Sequence, residues 1–153
     1  MATGKFEFSD FKTLEKAISQ FQSRTDEFID ACAKELAARL LAKVIKRTPV
    51  GQYPSSTGKV GGTLRRGWTG EKQASGAAYA QSLKVNHFGG NYVIEIVNPV
   101  EYASYVEFGH RTSNHKGWVK GRFMLTISEN EIQSSAPQII EKKLTKILGD
   151  IFK

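Results

Sequence analysis

The sequence predicts an α+β fold: long N-terminal helices, a small antiparallel three-stranded sheet, and a short helix and a C-terminal helix packed together. Three observations carry this reading. Apolar residues recur at helical spacing near both ends of the 153-residue chain, strand formers gather in its middle, and glycine and proline crowd two polar stretches between. A chain of this length is expected to form one domain over residues 1–153, because it can bury roughly 68–70% of its unfolded surface without disulfides or metals.

Ser9 can cap a first helix over residues 10–21, in which Phe11, Leu14, Ile18 and Phe21 form one apolar stripe. A second, longer helix runs from Asp26 to Arg47. Ile29, Ala33, Leu36, Ala37, Leu40, Leu41 and Val44 trace its apolar face, with acids early and bases late, as the helix dipole favours. Pro49 forces Thr48 towards extended geometry and ends that helix. Residues 48–62 hold two prolines and four glycines and read as a long loop.

Beyond the loop, Leu64, Arg66 and Trp68 alternate with Arg65 and Gly67, which predicts a strand. Residues 72–81 are small and polar and read as a flexible connection. Leu83, Val85 and His87, then Gly89-Gly90-Asn91, then residues 92–97 make a β-hairpin. Residues 101–108 predict a short helix ending at Gly109, with Tyr102, Tyr105 and Phe108 expected to pack on the sheet. Residues 110–121 read as a second polar loop. In the last helical region Ser128-Glu129-Asn130-Glu131 resembles a capping box, and Pro137 is expected to kink or restart the helix. Ile140, Leu144, Ile147 and Leu148 are expected to cover the apolar face of the second helix.

Composition is that of a soluble globular protein, 40% apolar and 24% charged. No secretory leader and no run of about 18 apolar residues is visible, so the expectation is an intracellular product with no membrane partner. Cys32, the one cysteine, sits among alanines and reads as a small apolar packer. Net charge is +7. The basic residues are dispersed rather than gathered in a tract, which fits a solvated surface better than a nucleic-acid site, although a basic nucleic-acid-binding module remains the alternative function.

The chemistry of enzymes is hard to find. His87, His110 and His115 have no cysteine or carboxylate set at zinc-ligand spacing, the glycines at 58, 61 and 62 do not open a phosphate loop, and no nucleophile signature occurs. No cofactor is called for. Glu101 and Glu107, six apart on a helix, do not face each other and read as surface charge or an ion pair to Arg65 or Arg66.

Four segments in order carry a resemblance: Thr48-Pro49-Val50-Gly51; Gly62-Thr63-Leu64-Arg65-Arg66-Gly67-Trp68; Tyr102-Ala103 with Val106-Glu107-Phe108-Gly109; and Phe123-Met124-Leu125. Together they resemble the neck and tail-completion proteins of long-tailed bacteriophages and prophages. Two departures from that pattern are an insertion over residues 52–61 and Lys120-Gly121-Arg122 where Pro-x-Pro is common. The resemblance implies a structural virion protein, not an enzyme, assembled in the bacterial host. It implies a homo-oligomeric ring, commonly a hexamer, at the head-tail interface. The implied partners are head-completion or connector proteins, a tail terminator or tail tube protein, and the phage DNA passing through the channel. Ring closure needs head-to-tail contacts. The candidate interface residues are Val50, Tyr53, Leu64, Arg65, Arg66, His110, Arg111 and Trp118. Tyr53 and Trp118 are residue types enriched in interface cores, but either could instead fold back on its own domain.

Overall fold

The computed structural model describes Gly4, residues 10–70 and residues 74–152. Two helices open the chain, α1 (Asp10–Ser23) and α2 (Thr25–Arg47). The Ser9 cap and the Phe11 side chain lie outside the described residues. Leu14 and Ile18 of the expected stripe are exposed, and on α1 it is Ala17 that is buried. On α2 the buried line is Phe28, Cys32, Ala37, Leu41 and Val44, with Leu36 and Leu40 half-buried beside it. Burial pushes the Cys32 thiol above its ordinary range, in keeping with an inert packing role.

The expected strand at Leu64–Trp68 is instead a helical turn, α3 (Thr63–Gly67). Gly62, at φ 95°, sets the chain into it, and Leu64 and Trp68 then point the same way, four residues apart, into the core with Leu41, Val44, Ala80 and Met124. The connection read as flexible contains α4 (Gly76–Ser82), capped by the Ser75 hydroxyl, which accepts from Ala78 N at 3.1 Å. Its small residues are the reason it packs. A Cβ on Gly76 would lie 3.0 Å from Leu41 Cβ, so the helix sits close against α2, and Ala80 is fully buried.

The predicted hairpin forms from β1 (Val85–Phe88) and β2 (Asn91–Ile94), antiparallel, with Phe88 opposite Asn91 and Gly89 at φ 59° in the turn. It is fastened to α2 by His87 Nε2 against Asp30 Oδ1 at 2.9 Å and by the Tyr92 hydroxyl donating to Asp26 at 2.8 Å. That bond to Asp26 raises the Tyr92 hydroxyl above its ordinary pKa. A single three-stranded sheet does not occur among the described residues. The α+β class holds, but there are two two-stranded sheets, because 64–68 is helical and the supposed loop 110–121 contains a second ladder, β3 (Gly109–Arg111) with β4 (Trp118–Lys120).

Between the sheets lies α5 (Ala103–Phe108), ended as expected at Gly109. The last helix, α6 (Met124–Ile151), runs without interruption through Pro137 and packs on α2. The hydroxyls of Ser134 and Ser135 donate to the carbonyls of Asn130 and Glu131, which gives the turn just before Pro137 two hydrogen bonds beyond the main chain's. Leu144, Ile147 and Leu148 are half-buried, whereas Ile140 is exposed. Ser128 caps nothing: it is buried inside α6, donates to Met124 O at 2.6 Å and accepts from Arg47 at 3.1 Å. Among the described residues no helix is long and apolar enough to cross a membrane.

Candidate assembly surface

Segments far apart in sequence meet around Thr48 and Trp68. The buried Thr48 hydroxyl donates to Val44 O at 2.6 Å and accepts from Trp68 Nε1 at 2.8 Å. Its carbonyl accepts from Arg65 Nε at 3.2 Å and Nη2 at 2.7 Å. Asn98 Nδ2 donates to Leu64 O at 2.8 Å, and a Cβ on Gly67 would strike the Asn98 amide, so only glycine admits that approach. The threonine-proline, leucine-arginine and asparagine-proline segments therefore form one joint.

The second joint centres on Glu107, which is buried rather than at the surface and pairs with neither Arg65 nor Arg66. Its carboxylate accepts from Leu125 N at 2.9 Å, Thr126 N at 2.9 Å and the Thr126 hydroxyl at 2.7 Å. Three donors at the start of α6 are thus satisfied by a side chain from α5, in place of a local cap. The residue before the helix, Phe123, has left-handed geometry (φ 48°) and makes no capping bond from its side chain. Main-chain bonds reinforce this, Arg122 N to Val106 O at 2.8 Å and Phe123 N to Glu107 O at 3.0 Å. Gly109, at φ 87°, lies so near β4 that a Cβ would collide with Val119 O and approach Gly121 N to 2.8 Å.

With Glu107 turned inward, the aromatic residues around it face out. Tyr102, Tyr105 and Phe108 do not pack on the sheet, and Phe108 is 61% exposed. For Tyr105 and Phe108 the reason is the helix period: on a six-residue helix that turns Ala103, Val106 and Glu107 inward, these two positions lie on the other side, while Tyr102 precedes the helix and lies beside Val106 at the cleft with the 48–62 loop. Trp118, 63% exposed, and Val119 on β4, Phe123 before α6 and Ile127 within it are exposed as well. Tyr105 stacks obliquely on His110, ring centroids 5.8 Å apart, which links α5 to the second hairpin.

The loop over 48–62 closes on itself, since Gly61 lacks the Cβ that would strike Gly51 O. A turn of 3-10 helix, Ser55–Thr57, ends at Gly58 with φ 64°. Val50 and Tyr53 are exposed, and with Leu64, Tyr102 and Val106 they line a cleft of about 210 Å³ between this loop and α5. Lys59 Nζ lies 5.8 Å from the Tyr53 ring centroid.

The eight candidate interface residues thus divide. Val50, Tyr53, Arg66, His110, Arg111 and Trp118 are exposed. Leu64 is in the core, and Arg65 is half-buried with its guanidinium spent on Thr48 O. Sequence reasoning missed Glu107, whose partners lie 18 and 19 residues onward, and it misjudged the aromatics of α5; the Val-Glu-Phe-Gly run marked the right place without the direction of each side chain. Among the described residues no group of three or more His, Cys, Asp or Glu could hold a metal.

A family model described as "Bacteriophage HK97-gp10, putative tail-component" matches residues 12–109, nearly two thirds of the chain. That span covers both joints except for the α6 side of the second. No curated protein and no solved structure matches significantly.

Proposed function

The chain belongs to the HK97-gp10-like family of phage tail components, and from that premise we propose that it is one subunit of a ring at the head-tail interface. Membership makes it a structural part of the virion and not an enzyme. The proposed ring, of six copies, stands in the neck, joins the tail to the DNA-filled head and continues the DNA channel. Its neighbours are head-completion or connector proteins on one side and a tail terminator or tail tube protein on the other. Residues 1–153 act as one domain, in which segments 48–62 and 110–121 present the contact residues.

The observation that carries this reading is the exposure of Tyr102, Tyr105, Phe108, Trp118 and Val119, all on α5, its N-terminal flank and the adjoining hairpin. Aromatic residues gathered in this way on the surface of a single chain mark a protein contact. Tyr53 and Val50 extend it across the cleft, and Arg66, His110 and Arg111 supply a polar rim. Leu64 and Arg65 serve by holding the loop in place. Tyr53→Ala with Trp118→Ala is expected to leave the monomer folded by circular dichroism but to abolish the ring in native mass spectrometry. In infected cells filled heads and separate tails should accumulate. Infectious particles at normal yield would place the joining contacts elsewhere.

A further inference from the structure

A groove of about 720 Å³ runs between α2 and α6, away from the aromatic surface. Arg39 and Lys43 rise from α2 on one side, and Lys142, Lys143 and Lys146 from α6 on the other. One carboxylate lines it, Glu35, and it is already shared, with Lys143 Nζ at 2.7 Å and Arg39 Nη2 at 3.0 Å. Lys43 is engaged by Glu131 at 2.7 Å, which Arg47 also pairs. Lys142 and Lys146 have no hydrogen bond or ion pair among the described residues. The floor carries Ile132, Ile139 and Ala42, with Ser135 and Gln138 beside them.

The geometry points to an acidic amphipathic helix of a partner protein as the occupant of this groove. Arg39 and Lys43 are one turn apart, as are Lys142 and Lys146, so each wall repeats its charge every ~6 Å along its helix. Carboxylates at i and i+4 on an incoming helix have the same repeat. An apolar stripe between two such acidic rows would cover Ile132 and Ile139 while the rows meet the lysines and Arg39, which is the helix-in-groove mode of recognition. A nucleic-acid duplex offers matching charge but no apolar stripe, and it would leave the floor wet. A second copy of this chain brings a net charge of +7 to a groove that is itself positive.

The test uses the full chain and four measurements. A fluorescent model helix, with leucine at i, i+3, i+4 and i+7 and glutamate elsewhere, is titrated by anisotropy against the wild type and against Lys142→Glu/Lys146→Glu. The variant touches no existing bond, and circular dichroism checks its fold; Lys142→Ala/Lys146→Ala serves if the reversal does not fold. The comparison ligands are a scrambled peptide of equal charge and a random-sequence duplex, and sedimentation velocity follows self-association. The inference expects binding of the amphipathic peptide at least tenfold tighter than of either control, and a loss of tenfold or more in the variant. Equal binding of the scrambled peptide would reduce the groove to unspecific charge attraction. Tighter binding of the duplex, lost in the variant, would make it a nucleic-acid site, and self-association abolished by the variant would make it a contact between copies. Any of these three overturns the proposal, and none depends on whether the aromatic surface builds a ring.

Discussion

Replacing Glu107 by alanine tests the joint between α5 and α6 most directly. The substitution deletes three bonds to a carboxylate, from Leu125 N, Thr126 N and Thr126 Oγ1. At about 1.5–3 kcal/mol for a hydrogen bond to a charged group, a simple sum gives roughly 4–9 kcal/mol. Two effects reduce it: the bonds share one carboxylate and are not additive, and removing a buried charge also removes its desolvation cost. We therefore expect Glu107→Ala to destabilise by about 3–5 kcal/mol, a large fraction of the ~5–15 kcal/mol typical of a domain. Glu107→Gln keeps the shape and one acceptor oxygen but aims an amide N–H₂ at a backbone donor, and about half that loss should follow. Thr126→Val removes one bond only and should cost about 1–2 kcal/mol. Urea unfolding followed by circular dichroism gives all three values by linear extrapolation. The reasoning fails if Glu107→Ala costs less than about 1 kcal/mol, or if glutamine matches the wild type.

Phe108→Ala, by contrast, should change unfolding free energy by less than about 1 kcal/mol, because the ring is mostly in water, while weakening ring formation in native mass spectrometry; a loss of 3 kcal/mol or more would mean that the ring is core. Thr48→Val strands the Trp68 indole N–H in a buried site and should cost about 1–3 kcal/mol in urea unfolding, whereas Thr48→Ser should retain most of the stability. Glu35 and Glu131 are held below the ordinary carboxylate value of 4.5, by bonds to Lys143 and Arg39 and to Arg47 and Lys43 respectively. Their stabilisation is complete above the unfolded-state pKa and is lost as pH falls through the lower folded values, so the midpoint of thermal unfolding should drop below about pH 4.5. Glu35→Gln/Glu131→Gln should flatten that acid limb, and an unchanged limb would show that these bridges do not tie α2 to α6.

The elements most legible in the sequence were those whose pattern is local and long. The later part of the α2 face (Ala37, Leu41, Val44), the break at Pro49 and the turn at Gly89 follow from side-chain period and backbone geometry alone, whereas towards the start of α2 it is Phe28 and Cys32 that are buried and Ile29 and Ala33 only half so. Short elements were not legible. Leu64, Arg66 and Trp68 satisfy a period of two, and Leu64 and Trp68 also fit one turn of helix; Arg66 decides between them, because a strand would set it on the same face as the other two, whereas it is exposed while they are buried. Residues 76–82 looked flexible because they are small, yet smallness is what lets α4 lie on Leu41. Ser128 and Glu131 have the spacing of a capping box, but their partners come from α2, through Arg47 and Lys43. At the candidate surface the Val-Glu-Phe-Gly run was conspicuous in sequence, while the inward turn of Glu107 depends on α6 and no local rule reports it.

One consequence of that buried glutamate is mechanical. At 28 residues, α6 is a rod about 42 Å long. Its first turn is gripped by Glu107, and its later turns are gripped by α2 through Lys143 and Glu35. A pull applied to α5 thus has a route through the Glu107 carboxylate into the start of α6, and from there through the Glu131 and Lys143 ion pairs into α2. If the aromatic residues join subunits as proposed, such a strut would pass their load into the paired helices α6 and α2.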